Sequence, residues 1–339
     1  MAALPHHIEE VLDAAIGRPE RQGSADRPDA VVVLGMGGSA VAGSVLLALA
    51  NERSPVPVLV ASGYGCPSFV TEKTLVFAVS FSGATEETLA AASAAAERGA
   101  RLVALACGGP LAAIVEAAGG EVLEIVPGIP QPRAAIGAMV APLLLACEQR
   151  GLLPGARADL EATIGQLRSR MPELVDGGGV AAEVARRIGR TIPLVHGSSG
   201  LGAVAARRWK TQVNENAKAP AFSGEQPEVC HNEVCGFGQH GDVTRQAMTL
   251  VELRMPGERP GEPGKMARRF DLLAEAVGEA VGDVVTVFGE GSCELAAFFD
   301  LVAIGDAVSL HLAAREGIDP GPVPMLTEIK RRLHEPAAS

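Results

Sequence analysis

Short apolar runs alternate with helical patterns along the first half of the chain. Apolar runs bounded by polar or glycine-containing turns are typical of strands buried in a parallel sheet, and apolar positions that recur every three or four residues predict helices. Strands are therefore predicted over residues 30–34, 56–61, 75–80, 102–106 and 122–126. The intervening helices are predicted over residues 40–50, 85–98, 111–118 and about 134–148.

A second round of the same alternation follows a polar, glycine-rich stretch at residues 150–179, which we expect to contain a connecting helix. Strands are predicted over residues 192–196, 248–253 and 284–288, and helices over 201–216, 268–281, 294–316 and 323–333, with a Pro/Gly-rich loop at 256–264. Strand and helix alternation implies right-handed crossovers on a parallel sheet. The predicted fold is α/β, with two doubly wound parallel-sheet lobes and flanking helices. The predicted limits are 1–152, a connecting segment 153–190, and 191–339.

Composition and charge narrow the class of protein. The 339 residues include 29 Lys and Arg against 40 Asp and Glu, so the net charge is 29 − 40 = −11. The basic residues form only short clusters without interleaved aromatic residues, which argues against nucleic acid as a partner. Residues 1–20 lack the pattern of a signal peptide, and glycine, proline or charge interrupts each long apolar run. The six dispersed cysteines are typical of free thiols. We expect a cytoplasmic protein without a membrane partner.

Two turns in the first lobe have the composition of anion-binding sites. The segment 35–39, Gly-Met-Gly-Gly-Ser, lies between a predicted strand and a predicted helix, where glycines let the backbone approach an anion. Ser39 is predicted to cap that helix. The segment 80–85, Ser-Phe-Ser-Gly-Ala-Thr, repeats the arrangement with three hydroxyls, and Glu86 and Glu87 follow in the first helical turn. Each turn alone is also compatible with an ordinary helix start.

The first turn also fits part of a dinucleotide-binding pattern, since Gly35, Gly37 and Ala40 have its spacing. An acidic residue is expected at the end of the next strand in such proteins, but residues 58–63 contain none. A nicotinamide enzyme therefore stays a minor alternative.

A carboxylate and an imidazole bracket a proline-containing loop in the second lobe. Glu215 falls on the last turn of the helix predicted before Pro220, and His231 follows the loop. The negative end of the helix dipole favours the protonated form of Glu215 and makes its anion a better base. An alternative is that Glu215 pairs with Lys218 or Arg208 on a solvated face.

Three further residue sets are open to two interpretations each. Arg133, beside Pro132 at a helix start, opposes the helix dipole and is a candidate for stabilising an oxyanion, or it forms a surface salt bridge. Cys230, His231 and Cys235 resemble part of a metal site, but no second ligand pair with zinc-like spacing follows. His196, at the end of a predicted strand, either reaches the cleft or is a hydrogen-bonded structural histidine.

Taken together, these motifs resemble the bifunctional phosphoglucose/phosphomannose isomerases of the sugar isomerase (SIS) domain superfamily. The resemblance covers roughly residues 30–333. It is carried, in chain order, by residues 35–39, 80–88, Pro132-Arg133, Arg208-Trp209-Lys210-Thr211-Gln212 with Asn214-Glu215-Asn216, and His231-Asn232-Glu233.

The resemblance implies two flavodoxin-like SIS domains and a homodimer with its active site at the subunit interface. It implies metal-free and cofactor-free interconversion of glucose 6-phosphate or mannose 6-phosphate with fructose 6-phosphate. The residues it assigns to the substrate phosphate are Gly37, Gly38, Ser39, Ser80, Ser82 and Thr85. It makes Glu215 the base, Arg133 the partner of a cis-enediolate, and His231 of the partner subunit the residue that assists ring opening. Lys330 is the nearest match to a lysine that shares this task, or it is a solvated helix cation.

The sequence departs from the family pattern at three places. Ala84 stands where Asn is often found, and Ser62-Gly63 stand where Arg-Asp is common. Gly321 replaces a threonine associated with acceptance of both epimers, which leaves mannose 6-phosphate open as a substrate. A non-catalytic sugar-phosphate sensor is the alternative from another class, but it would not need Glu215, Arg133 and His231 together. An isomerase of a different phosphosugar is the third possibility.

Overall fold

The computed structural model describes residues 1–15, 27–239 and 242–333. The chain divides into two compact units. Unit 1 comprises Met1–Met171, Ser199–Val204 and Gly289–Asp300, and unit 2 comprises Pro172–Ser198, Ala205–Phe288 and Leu301–Ser339. The domain limits given above stay a prediction. Within the N-terminal segment read for a targeting signal, residues 16–20 lie outside the described residues.

The sheet of unit 1 contains strands β1 (Ala30–Gly35), β2 (Val58–Ala61), β3 (Thr74–Ser80), β4 (Arg101–Ala106) and β5 (Glu121–Glu124). All neighbouring pairs are parallel, in the order β2-β1-β3-β4-β5. Every residue of β3 is buried, because helices cover both faces of a central parallel strand. This order is that of flavodoxin-like doubly wound sheets, whose ligands bind beyond the carboxyl ends of the strands.

The sheet of unit 2 contains strands β6 (Ile192–Ser198), β7 (Phe222–Gln226), β8 (Met248–Arg254) and β9 (Asp283–Phe288). Its strands are also parallel, in the order β7-β6-β8-β9, which repeats the first four positions of the unit 1 order. The prediction of two doubly wound lobes is therefore confirmed. β7 was not predicted, because its sequence, Phe-Ser-Gly-Glu-Gln, is mostly exposed at the sheet edge and has no apolar run.

Twelve α-helices connect or flank these strands in the described residues. They are α1 (Leu4–Ala14), α2 (Gly37–Arg53), α3 (Glu86–Glu97), α4 (Pro110–Ala117), α5 (Ile136–Glu148), α6 (Ala156–Val175), α7 (Gly179–Ile188), α8 (Leu201–Gln212), α9 (Val243–Ala247), α10 (Lys265–Val277), α11 (Glu294–Arg315) and α12 (Pro324–Leu333). The expected connecting helix is α6. Helices α1, α7 and α9 were not predicted.

A buried polar ladder fastens α8 to α11 within unit 2. The Arg208 guanidinium donates to both carboxylate oxygens of Asp306 at 3.0 and 2.9 Å, and the Gln212 amide donates to the same carboxylate at 2.9 Å. The Trp209 indole N–H donates to the Leu301 carbonyl at 2.7 Å. Arg208, Trp209 and Gln212 are all buried. These bonds fix the axial position and the rotation of α8, which leads directly to Glu215.

Helix α11 is long and apolar enough to cross a membrane by length and composition. In this structure, however, 89 % of its most apolar stretch is buried inside the protein. Core helices have the same property, so the helix alone is weak evidence for a membrane span.

The second glycine turn gives a stability prediction. Gly83 has φ +65°, and a Cβ there would overlap the Gly108 carbonyl oxygen, whereas Gly119 has φ +72° with open space around it. We expect Gly119→Ala to lower the free energy of unfolding by about 1–2 kcal/mol through left-handed strain alone. Gly83→Ala should lose at least about twice as much, because the backbone must also move. Urea unfolding of both variants checks this, and equal losses would contradict it.

The polar ladder between α8 and α11 gives a second stability prediction. Asp306→Ala leaves the Arg208 guanidinium buried without its carboxylate, so we expect a loss of about 3–5 kcal/mol in the free energy of unfolding of unit 2. Glu328→Ala is the control, because Glu328 pairs with Arg331 and Arg332 on an accessible helix surface and should leave the urea midpoint close to native. A near-native midpoint for Asp306→Ala would show that the ladder does not hold α8.

Candidate active site

The two predicted phosphate turns lie side by side in unit 1. The first follows β1 and the second follows β3, and these strands are neighbours in the sheet. Because parallel strands end at the same edge, both turns open at the carboxyl edge of the sheet. The Phe81 N–H donates to the Ser39 hydroxyl at 3.4 Å and ties the turns together.

The start of α2 corrects one prediction. Ser39 was expected to cap this helix, but Met36 is the N-cap residue and Ser39 is the third residue of the helix. The helix begins earlier because Gly37 adopts φ +52°, which lets the chain turn tightly after β1. Ser39 is buried, and its hydroxyl donates to the Met139 sulfur at 3.7 Å. Gly37 is exposed and Gly38 half-buried, so the first-turn backbone is accessible to a ligand.

The second turn holds its hydroxyls with local hydrogen bonds. The Ser80 and Thr85 hydroxyls lie 2.8 Å apart, with Ser80 buried and Thr85 half-buried. The exposed Ser82 hydroxyl accepts from the Ala84 N–H at 3.2 Å. Thr85 is the N-cap residue of α3, but its side chain makes no capping bond, so its hydroxyl stays in the turn. Glu86 and Glu87 occupy the first turn of α3, as predicted.

Arg133 lies in a 3₁₀ turn, Pro132–Ala134, directly before α5. Pro132 is the first residue of this turn, which agrees with the predicted helix start. A Cβ at Gly38 would lie 3.7 Å from the Pro132 carbonyl oxygen, so this turn adjoins the first phosphate turn. Arg133 is half-buried. Unit 1 therefore brings together both glycine turns and the segment that carries Arg133.

Glu215 lies in unit 2, in a π-helical segment, Val213–Ala217, that continues α8. The helical prediction is confirmed, while the wider winding was not foreseen from the sequence. Single π turns within helices are frequent at functional sites. Lys218 ends the segment in the left-handed conformation, with φ 55°, and donates to the backbone oxygen of Glu215. Glu215 is half-buried, and Arg208, its suggested partner on a solvated face, is itself buried and binds Asp306.

His231 follows a short 3₁₀ turn, Glu228–Cys230, after β7. Its side chain is exposed, and its ring makes no hydrogen bond to the part of the chain that the structure describes. Asn232 organises the loop: its amide donates to the Glu228 carboxylate at 2.7 Å and its side-chain oxygen accepts from the Glu233 N–H at 2.6 Å. The Glu233 carboxylate lies 2.7 Å from Nε2 of His196. Sequence reasoning missed this pair, although it named His196 and the motif that contains Glu233.

Lys330 lies on α12 and is exposed. This helix buries none of its residues. Met325, Leu326, Ile329 and Leu333 expose large apolar side chains along it. Lys330 forms no ion pair with the described residues of the chain, so the structure does not join it to Glu215 or His231.

The two residue groups offer distinct chemistry. The unit 1 turns supply backbone amides, hydroxyls and a cation, which suit a phosphate. The carboxylate of Glu215 and the imidazole of His231 are groups that transfer protons in enzymes. Among residues 1–15, 27–239 and 242–333, no group of three His, Cys, Asp or Glu side chains is arranged to hold a metal ion.

Family models agree with this division of the chain. Residues 27–127 match the SIS domain, and residues 179–333 match the bacterial phospho-glucose isomerase C-terminal SIS domain. The first match contains both glycine turns, and the second contains Glu215, His231 and Lys330.

Curated relatives cover most of the chain. A bifunctional phosphoglucose/phosphomannose isomerase of Caldicellulosiruptor bescii is 35 % identical over 315 residues, which cover 92 % of this chain and 91 % of that protein. A D-glucosamine-6-phosphate 4-epimerase of Sulfolobus acidocaldarius is 32 % identical and covers 90 % of this chain and 89 % of that protein.

A solved structure supports the fold. The C-terminal domain of glucosamine-fructose-6-phosphate aminotransferase from Francisella tularensis superposes with a TM-score of 0.72 at 12 % identity, covering 94 % of each chain. At this identity the likeness concerns the fold alone. The SIS matches and the relatives of 30–35 % identity over about nine-tenths of the chain show that this protein belongs to the bifunctional phosphoglucose/phosphomannose isomerase family.

Proposed function

We propose that this protein interconverts glucose 6-phosphate, mannose 6-phosphate or both with fructose 6-phosphate. The observation that carries the proposal is the pair of glycine and hydroxyl turns at adjacent strand ends, within a chain that also presents Glu215 at a helix end. The names of the relatives at 30–35 % identity support the same reaction.

In this proposal the phosphate group binds the turns of unit 1. The accessible backbone of Gly37 and Gly38 donates N–H groups, and the four hydroxyls of Ser39, Ser80, Ser82 and Thr85 complete the donors. The overall charge of −11 opposes an anionic substrate, so local donors must provide the attraction. A helix start does so with its free N–H groups and its positive dipole end.

Glu215 acts as the base on the open-chain sugar. It takes the proton from C2 of the aldose, which gives a cis-enediolate. A proton moves from O2 to O1, and Glu215 returns the carbon-bound proton to C1, which gives the ketose. The reverse sequence starts at C1 of the ketose. Arg133 stabilises the negative charge that develops on the enediolate oxygens. The proposed reaction uses no metal ion and no cofactor.

His231, with Lys330, assists opening of the sugar ring by moving a proton at the ring oxygen. We propose a cytoplasmic homodimer in which His231 comes from the partner subunit. The exposed position of His231 supports an intermolecular role. The apolar surface of α12 supports the homodimer, because such a surface is normally covered.

A 4-epimerase is the second candidate, because one relative of 32 % identity carries that name. Both reactions need a bound phosphosugar, so the phosphate turns do not separate them. A non-catalytic sensor would need only those turns.

The variant Glu215→Gln tests the proposed base. With EDTA present, we expect the native protein to form fructose 6-phosphate from at least one of the two aldose phosphates. Loss of the base should lower kcat by about 10²–10⁴-fold. Glu225→Gln, at an exposed position of β7, is the control and should keep native kcat.

Product analysis decides between the candidates. Formation of a 4-epimer from glucosamine 6-phosphate without ketose formation would favour the epimerase. Binding of all these sugars without turnover would favour the sensor. The ratio of the rates with glucose and mannose 6-phosphate defines the epimer preference that Gly321 leaves open.

Mixing two inactive variants tests whether the active site is shared between subunits. Glu215→Gln and His231→Ala variants should each be nearly inactive, whereas a mixture that exchanges subunits should regain about one quarter of the native rate, because half of the dimers are mixed and each has one intact site. Mass measurement in solution should show a dimer. If the mixture stays inactive while mixed dimers form, His231 acts within its own subunit.

A further inference from the structure

One hydrogen-bonded contact joins the loop that carries His231 to the interior of unit 2. We call residues 227–236 the His231 loop. The Glu233 carboxylate in this loop contacts Nε2 of His196 at 2.7 Å. The His196 side chain is fully buried, whereas Glu233 is 34 % exposed. The contact therefore fastens a surface loop to a residue in the sheet.

The His196 ring cannot easily shift. His196 pairs in register with Gly224 on one neighbouring strand and with Glu252 on the other. A Cβ at Gly224 would lie 2.8 Å from both Cδ2 and Nε2 of the ring, so only glycine leaves room for it there. The ring thus presents Nε2 to the His231 loop from a fixed position.

Of the two nitrogens of the His196 ring, only Nε2 has a hydrogen-bond partner among the described residues. A carboxylate only accepts hydrogen bonds, so Nε2 carries the proton that is donated to Glu233. Nδ1 of the ring and Oε1 of Glu252 have no hydrogen-bond partner among the described residues. The other oxygen of Glu252 accepts from Arg254 at 2.9 Å and from Thr286 at 3.2 Å. Burial raises the pKa of the Glu252 carboxyl, and Arg254 opposes that shift.

Fixing Glu233 also restricts His231. The two residues are separated by Asn232 alone, and Asn232 is itself bonded to Glu228 and to the Glu233 N–H. With both sides of Asn232 held, the backbone that carries His231 has little freedom to move.

We infer that His196 is a positioning residue: through its bond to Glu233, it holds the His231 loop in the geometry that presents His231 to the sugar ring. The inference rests on the proposed function for the role of His231. The hold on the loop itself is testable without any activity.

The experiment uses the full chain with Glu233→Ala and His196→Gln, and with Glu225→Ala as the control. Glu225 is an exposed carboxylate on β7, two residues before the loop. Hydrogen exchange should become faster in the His231 loop of Glu233→Ala but stay native in Glu225→Ala. His196→Gln should show a smaller change, because an amide N–H can still donate to Glu233.

Kinetics then connect the loop with His231. For glucose 6-phosphate, kcat of Glu233→Ala should fall by up to about 100-fold, with a smaller change in KM, because the group is misplaced rather than lost. Combining Glu233→Ala with His231→Ala should lower kcat no further than His231→Ala alone, since both act through one group.

Each outcome has one meaning. Native exchange in the loop of Glu233→Ala overturns the inference whatever the activity. The inference is also overturned if exchange is faster but the kcat losses of Glu233→Ala and His231→Ala multiply in the double variant, because Glu233 would then act independently of His231. Faster exchange in a native protein that isomerises neither sugar supports the hold on the loop and rejects the proposed function instead.

Discussion

The buried ion pair between Arg208 and Asp306 determines where the candidate base can be. A guanidinium and a carboxylate in the interior must satisfy each other, so α8 has one favourable rotation against α11. Further along, Asn216 donates to the Ser309 hydroxyl at 2.9 Å, which extends the same fixation past Glu215. The π-helical winding between these two anchors sets the direction of the Glu215 segment. A catalytic carboxylate that must reach two adjacent carbons benefits from such a rigid support.

The parallel sheets provide the second constraint. Strands of one direction end at one edge, so turns that are distant in sequence become neighbours. This explains why residues 35–39 and 80–85 meet in unit 1. In unit 2, the same arrangement of strands places His196 between Gly224 and Glu252 and directs it toward the His231 loop. Loops on a rigid sheet commonly carry function for this reason.

The sequence predicted those parts of the fold that depend on local patterns. Apolar runs gave eight of the nine strands that the described residues contain, and three- to four-residue periodicity gave the helices that follow the glycine turns. The misses have physical causes. β7 gains its strand conformation from pairing with β6 rather than from its own residues. Ser39 was misplaced because Gly37 starts the helix earlier. The bond between His196 and Glu233 depends on tertiary contact, which no local pattern encodes.

The candidate site was predictable to a different degree in each unit. Glycines and hydroxyls next to strand ends indicate anion binding. Such sites use backbone N–H groups and nearby hydroxyls, so a short stretch of sequence is enough to predict them. The candidates for proton transfer are isolated side chains: local sequence left Glu215 open between a base and a surface ion pair, and only the family resemblance assigned a role to His231. Relatives of similar identity carry the names of an isomerase and a 4-epimerase. Because proteins of one fold can catalyse different reactions, the shared fold does not identify the reaction of this chain, which depends on particular side chains at the site.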